Sequence, residues 1–154
     1  DLGSGSGHYA KASARAVGES GKVYAVDIQK DMLTRLKNDA GKEGFQNIEI
    51  VWGDVEKVQG TKLKDELADT AIITNLMFQI VDKASVAKEA FRILKHGGRL
   101  LVVDWTDSFG GLGPHQDVVF PREKALEIFS GAGFGVEKDI SAGEHHYGII
   151  FSKQ

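Results

Sequence analysis

The chain opens with an acid and three alternate glycines, Asp1-Leu2-Gly3-Ser4-Gly5-Ser6-Gly7. Glycines let a backbone turn sharply and come close to a ligand. The helical pattern that follows, His8 to Val17, offers free N–H groups at its start. A second acid, Asp27, ends the apolar run Val23 to Val26. It lies about twenty residues past the glycines, where a carboxylate accepts both hydroxyls of a ribose. A third, Asp54, sits between Gly53 and Val55, directly after the run Ile48 to Trp52. The chemistry these positions suggest is the recognition of a ligand that carries a ribose. The plain alternatives are a glycine turn that binds nothing, a helix-start acid at Asp27, and an ordinary Gly-Asp turn at Asp54.

Spacing narrows the ligand. A dinucleotide fingerprint is G-x-G-x-x-G. Counted from Gly3, its last place falls on His8; counted from Gly5, it falls on Ala10, which the looser fingerprint allows but which leaves Gly3 surplus. Asp27 keeps a nicotinamide or flavin cofactor as a competing reading, because all of these carry ribose.

Strand and helix signals alternate around these positions. After the strand at Val23 to Val26, Asp31 is placed to cap a helix with Met32, Leu33 and Leu36 inward, and Gly44 ends it. Strands follow at Ile48 to Trp52 and at Ala68 to Asn75. A helix runs from Ala84 to Lys95 and is stopped by Gly97 and Gly98. The run Leu100 to Val103 marks Arg99 to Trp105 as the most buried strand. Ser108 to Pro114 is a glycine-rich loop, Arg122 to Ala132 an amphipathic helix, and Phe134 to Ile140 and His145 to Phe151 are the last strands. The turn Ser141 to Glu144 is too short for a helical crossover, so that pair is antiparallel. The pattern predicts one α/β domain over residues 1–154, doubly wound, with a mainly parallel sheet and a C-terminal antiparallel hairpin. Asp1-Leu2-Gly3 reads as the end of a first strand whose beginning is missing, so a fragment of a longer, N-terminally truncated chain is expected.

The form D-x-G-x-G-x-G resembles motif I of the class I, Rossmann-like S-adenosylmethionine-dependent methyltransferases, and the likeness runs along essentially the whole chain. The segment Arg92 to Trp105 is similar to the family's approach to its fifth strand, with His96 where relatives usually carry proline. The closing Glu144 to Lys153 is like the last strand of small bacterial and archaeal members. The resemblance implies strand order 3-2-1-4-5-7-6, with the stump at Asp1 to Gly3 as the first. It implies S-adenosylmethionine as cofactor. Asp1, Gly3, Ser4 and Gly5 would pass beneath its amino-acid part, and Asp27 and Ile28 would meet the ribose. Gly53, Asp54 and Val55 would meet the adenine, and Asn75 and Leu76 would stand beside the methionine part and the methyl acceptor. Relatives often carry His or Glu near Phe78 and Gln79; this chain does not. The N-P-P-Y signature of nucleic-acid amino methyltransferases is also missing.

The implied activity is methyl transfer to a small or medium organic acceptor. Two alternatives stand beside it: a nicotinamide-dependent oxidoreductase on a similar fold, and a non-catalytic methyltransferase-like remnant. The reaction demands positioning more than a catalytic group, since a sulfonium already activates its methyl. An acceptor that must lose a proton would want a base, and His145 or His146 is the first candidate. Alternation puts Glu144 and His146 on one face and His145 on the other. Three consecutive residues cannot readily converge on one ion, so no metal is expected. Thr106 to Pro121 is the candidate lid, with Phe109, Leu112 and Phe120 as apolar contacts and His115, Gln116 and Asp117 as polar ones; Trp105 is a further candidate wall.

Composition excludes several partners. The formal net charge is -3 with no basic run, which gives no reason to expect nucleic acid. No apolar stretch approaches the ~18 residues of a membrane span. Absence of cysteine argues against thiolate chemistry such as arsenite methylation or attack on cytosine C5. The expected compartment is the cytoplasm.

Overall fold

The computed structural model describes all 154 residues. Its elements run α1 (His8–Val17), β1 (Val23–Asp27), α2 (Lys30–Lys42), β2 (Ile48–Trp52), β3 (Ala68–Thr74), a 3-10 turn (Met77–Gln79), α3 (Lys83–Ile93), β4 (Leu94–Trp105), a second 3-10 turn (Gln116–Val118), α4 (Arg122–Gly131), β5 (Phe134–Ser141) and β6 (His146–Lys153). β1 pairs with β2 in parallel, and β3 pairs with β4 in parallel. β6 is antiparallel to both β4 and β5, as the short turn before it requires.

The two parallel pairs are joined by one residue. Leu2 bridges Val26 on one side and Ile73 on the other, in parallel sense. Its N–H donates to Ile72 O, and Val26 N–H donates to Asp1 O, both at 2.9 Å. The full order is therefore β2-β1-Leu2-β3-β4-β6-β5, which is the expected 3-2-1-4-5-7-6 with the first position reduced to a stump. Below Leu2, a slot of about 530 Å³ separates β1 from β3.

The main core lies around β3, β4 and β6, where Leu100, Val102, Ile149 and Phe151 meet Ala90 of α3 and Phe129 of α4. A smaller core pairs Val23 and Ala25 of β1 with Ala10, Ala14, Leu36 and Ala40 of the flanking helices. Alanines there let α1 and α2 lie close against the sheet.

Two local expectations are corrected. Asp31 does not cap α2. The capping position is Gln29, whose side chain makes no cap bond, and Asp31 lies in the first turn, where its charge complements the helix dipole. Instead Asp27 Oδ1 accepts Gln29 N–H at 2.8 Å. The helix predicted to reach Lys95 ends at Ile93, and Leu94 already pairs with Ala68. Leu94 is fully buried, and its carbonyl accepts the buried Lys153 ammonium at 2.7 Å. That long-range bond ends the helix before Gly97 and Gly98 are reached.

Candidate active site

The carboxyl ends of the parallel strands carry the site, as in other open α/β sheets. The glycine loop leaves Leu2 and is tied to β1, with Gly3 and Ser4 N–H both donating to Val26 O. Gly3 takes φ +76, and a Cβ there would meet Leu76 Cδ1 at 2.7 Å. Gly7 takes φ +86 as the residue before α1, and a Cβ there would meet Leu36 Cδ1 at 2.0 Å. These two positions exclude a side chain for a packing reason as well as a conformational one.

Asp27 organises this end of the sheet. It is buried, and each carboxylate oxygen holds one backbone N–H, Gly5 on Oδ2 and Gln29 on Oδ1, both at 2.8 Å. It thereby fixes the loop from the neighbouring strand. Asp27 also lines a cleft of about 380 Å³, together with Gly3, Gly5, Ile28, Gly53, Asp54, Val55, Asn75 and Leu76. Nine of the expected contact positions thus share one cavity. Ser6, Gln29, Met32, Glu56, Gln79 and Ile80 complete it; the sequence reading had not assigned them to the cofactor.

Asp54 is already partly engaged. Its carboxylate accepts Glu56 N–H at 3.0 Å and pairs with Lys57 at 2.9 Å. The Lys57 ammonium holds its carboxyl below the usual range. Asn75 ends β3 at φ +51, a conformation asparagine tolerates better than most residues. Its N–H donates to Val103 O, while its own Oδ1 is buried with no hydrogen-bond partner.

Two expected residues do not line the cleft. Asp1 lines the slot below Leu2 instead, because Leu2 must face the core and alternation carries Asp1 away. Ser4 is buried beside β1, its hydroxyl unpartnered.

At the other half of the same edge, the two histidines separate as alternation requires. His145 Nδ1 lies 3.0 and 3.1 Å from the two oxygens of Asp107, and its ring stacks on Phe109 at 3.9 Å. His146 packs against Trp105 at 4.1 Å, and burial pushes its pKa down. Trp105 is covered by Gly113, where a Cβ would meet the indole at 2.7 Å. Phe109 and Leu112 are exposed, but Phe120 is 3 % exposed and belongs to the main core. It is therefore not an acceptor contact. His115 pairs with Asp117 on the surface.

Asp107 and Asp104 were not singled out by sequence reading. Asp104 is wholly buried in β4 and accepts Met77 N–H and Trp105 N–H, each at 2.8 Å. The one available signal was an acid closing the apolar run Leu100 to Val103.

Fold and cleft together define a Rossmann-like domain with an open cleft at the carboxyl edge. Residues 1–126 match the family model described as a methyltransferase domain. Human arsenite methyltransferase is 36 % identical over 110 residues, 68 % of this chain and 29 % of that protein. The ubiquinone/menaquinone biosynthesis C-methyltransferase UbiE of Cronobacter sakazakii is 35 % identical over 134 residues, 84 % of this chain and 47 % of that protein. A crystal structure of a SAM-dependent methyltransferase from Aquifex aeolicus covers 100 % of this chain with 80 % of its own, at 25 % identity and TM-score 0.90. The chain belongs to the S-adenosylmethionine-dependent methyltransferase family. It spans less than half the length of these two curated relatives.

The cleft fits that cofactor on its own chemistry. Asp27 is a carboxylate on the cleft wall, the group that suits a diol, and Asn75 Oδ1 is a buried acceptor with no hydrogen-bond partner. Ile28, Met32, Val55, Leu76 and Ile80 offer apolar contact to a flat base. No helix of the chain is long and apolar enough to cross a membrane.

Proposed function

We propose that this domain transfers a methyl group from S-adenosylmethionine to a small or medium organic acceptor. The observation that supports this best is the convergence of Gly3, Gly5, Asp27, Asp54, Asn75 and Leu76 on one cleft. When bound, the cofactor supplies an electrophilic methyl on a sulfonium. Asp27 holds the ribose, and at the same time holds the loop through Gly5 N–H. Asp54 reaches the adenine amino group, sharing its charge with Lys57. Asn75 and Leu76 bound the end of the cleft nearest β4 and orient the methionine part.

The acceptor lies under Thr106 to Pro121. This loop carries no lysine or arginine that could hold a phosphate backbone, which favours a small molecule over nucleic acid. His145 is the base for an acceptor that must lose a proton. The Asp107 carboxylate accepts from Nδ1–H, which leaves Nε2 as the proton acceptor. No thiolate is available within these residues, so this domain's own side chains offer no thiol chemistry to arsenite, the acceptor in the names of two relatives.

Calorimetry of the protein with S-adenosylhomocysteine and NADH in parallel tests the reading. We expect heat of binding with the first alone. Binding of NADH without S-adenosylhomocysteine would overturn it in favour of an oxidoreductase.

A further inference from the structure

A buried carboxylate without a cation needs a reason. Asp104 is 0 % exposed, and its hydrogen bonds run to backbone amides, not to a cationic side chain. Its oxygens are held by backbone N–H groups alone: Met77 on Oδ2, Trp105 on Oδ1, with the amides of Leu76 and Phe78 also favouring its charge. The segments against it from β3 and the 3-10 turn, Ile72 to Gln79, contain no charged residue. From β6 it faces Tyr147, its direct partner across the strand pair, whose hydroxyl is buried and unpartnered. Burial most of all, then the charges of Asp104 and of Glu123 on α4, disfavour ionisation of that hydroxyl. His146, next along β6, is turned against Trp105.

What the carboxylate grips matters. The turn Met77–Gln79 has no side-chain cap of its own, since Leu76 holds the capping position. Asp104 supplies that cap from a neighbouring strand. On either side of the gripped amide stand Asn75, Leu76, Gln79 and Ile80, all lining the cleft. One of them, Asn75, is held in the left-handed region. A strained residue persists only where its surroundings over-determine it.

We propose that Asp104 is a positioning residue for the cofactor: its negative charge keeps Asn75 to Ile80 in the shape that receives S-adenosylmethionine, so cofactor binding and the charge on Asp104 are coupled. This rests on the reading of the cleft given above. Both oxygens accept N–H groups. A proton on either one turns an acceptor into a donor facing a donor, and one grip is lost. Burial pushes this carboxyl up to about 6, so the loss falls near neutrality and not in strong acid. By linkage, a ligand that prefers the charged form expels the proton when it binds.

The test is calorimetry with S-adenosylhomocysteine between pH 5 and 7.5, repeated in buffers of different ionisation enthalpy. For the unmodified protein we expect affinity to fall about fivefold from pH 7 to pH 5, toward a limit of about tenfold at lower pH, with proton release near pH 6. Asp104→Asn should bind about tenfold more weakly at pH 7, with little pH dependence and no proton release. Amide exchange at Leu76 to Phe78 should quicken in that variant. Tyr147→Phe alters the same buried spot but keeps the charge, and should retain both the affinity and the pH profile. If Asp104→Asn fails to fold, proton release by the unmodified protein still decides, and none near pH 6 would overturn the proposal. An Asp104→Asn protein that matches the unmodified one in affinity and pH profile would also overturn it. Asp27→Ala separates the two readings: if it binds S-adenosylhomocysteine normally, the cleft itself has been misread.

Discussion

The two halves of the carboxyl edge are built differently. The half we assign to the cofactor is anchored by backbone and by a buried carboxylate, with exposed Ile28 and Met32 at its rim. Gly3 and Gly7 leave no room for a Cβ, Asp27 is 7 % exposed, and its carboxylate bonds two backbone amides. The half we assign to the acceptor is a loop with exposed Phe109 and Leu112 and one histidine–carboxylate pair, His145 with Asp107. A ligand common to a family can be met by fixed backbone, which tolerates little change. A ligand that varies is better met by side chains on a loop, which can be exchanged without disturbing the sheet. Asp104 lies at the junction, rooted in β4 and gripping the last wall of the cofactor half.

If this contrast is right, the largest loss should come from Asp27→Ala. It removes the ribose acceptor and leaves the Gly5 and Gln29 amides unpaired. We expect S-adenosylhomocysteine to bind about 3 kcal/mol more weakly, as calorimetry would show. Unchanged affinity in a folded variant would remove the ribose assignment. Next comes the pH dependence of Asp104→Asn. A carboxyl at about 6 when folded, above its ordinary value of 3.8, stabilises the protein fully below the ordinary value. That contribution is lost as pH rises through the folded value. The stability of the variant relative to the unmodified protein should therefore improve by roughly 2–3 kcal/mol between pH 4 and pH 7 in denaturant melts. A gap that stays constant with pH would contradict the buried charge. Gly7→Ala drives a methyl into Leu36 and should cost about 2 kcal/mol of stability. A melting curve identical to that of the unmodified protein would mean that the loop yields easily.

Smaller effects are expected where the contacts are shared or absent. Asp54→Ala should weaken S-adenosylhomocysteine by only about 0.5–1 kcal/mol, because Lys57 and Glu56 N–H already occupy part of its carboxylate. A loss equal to that of Asp27→Ala would show that adenine recognition carries more than the geometry suggests. Deleting Gly110 to Pro114 should leave S-adenosylhomocysteine binding almost unchanged while abolishing turnover of the acceptor. Turnover that survives the deletion would place the acceptor elsewhere.

Sequence alone determined the alternation of strand and helix, the antiparallel hairpin, the glycine turn and the acids at the strand ends, while the family resemblance supplied the strand order and the rest of the nine positions around the cleft. The first group are local facts: glycines that need unusual backbone, acids at strand ends, a turn too short to cross the sheet. Phe120 illustrates the limit, since an aromatic in a glycine-rich loop looks the same whether it meets a ligand or the core. Only tertiary structure decided that it is core, that Asp1 turns away from the cleft, and that helix α3 stops at Ile93. It also decided which partners bind across long separations in the chain: Asp27 with Gly5, Asp107 with His145, Asp104 with Met77. A hydrogen bond depends on distance and direction in space. Strand pairing brings those atoms together across intervals of 22, 38 and 27 residues, and no residue spacing encodes them.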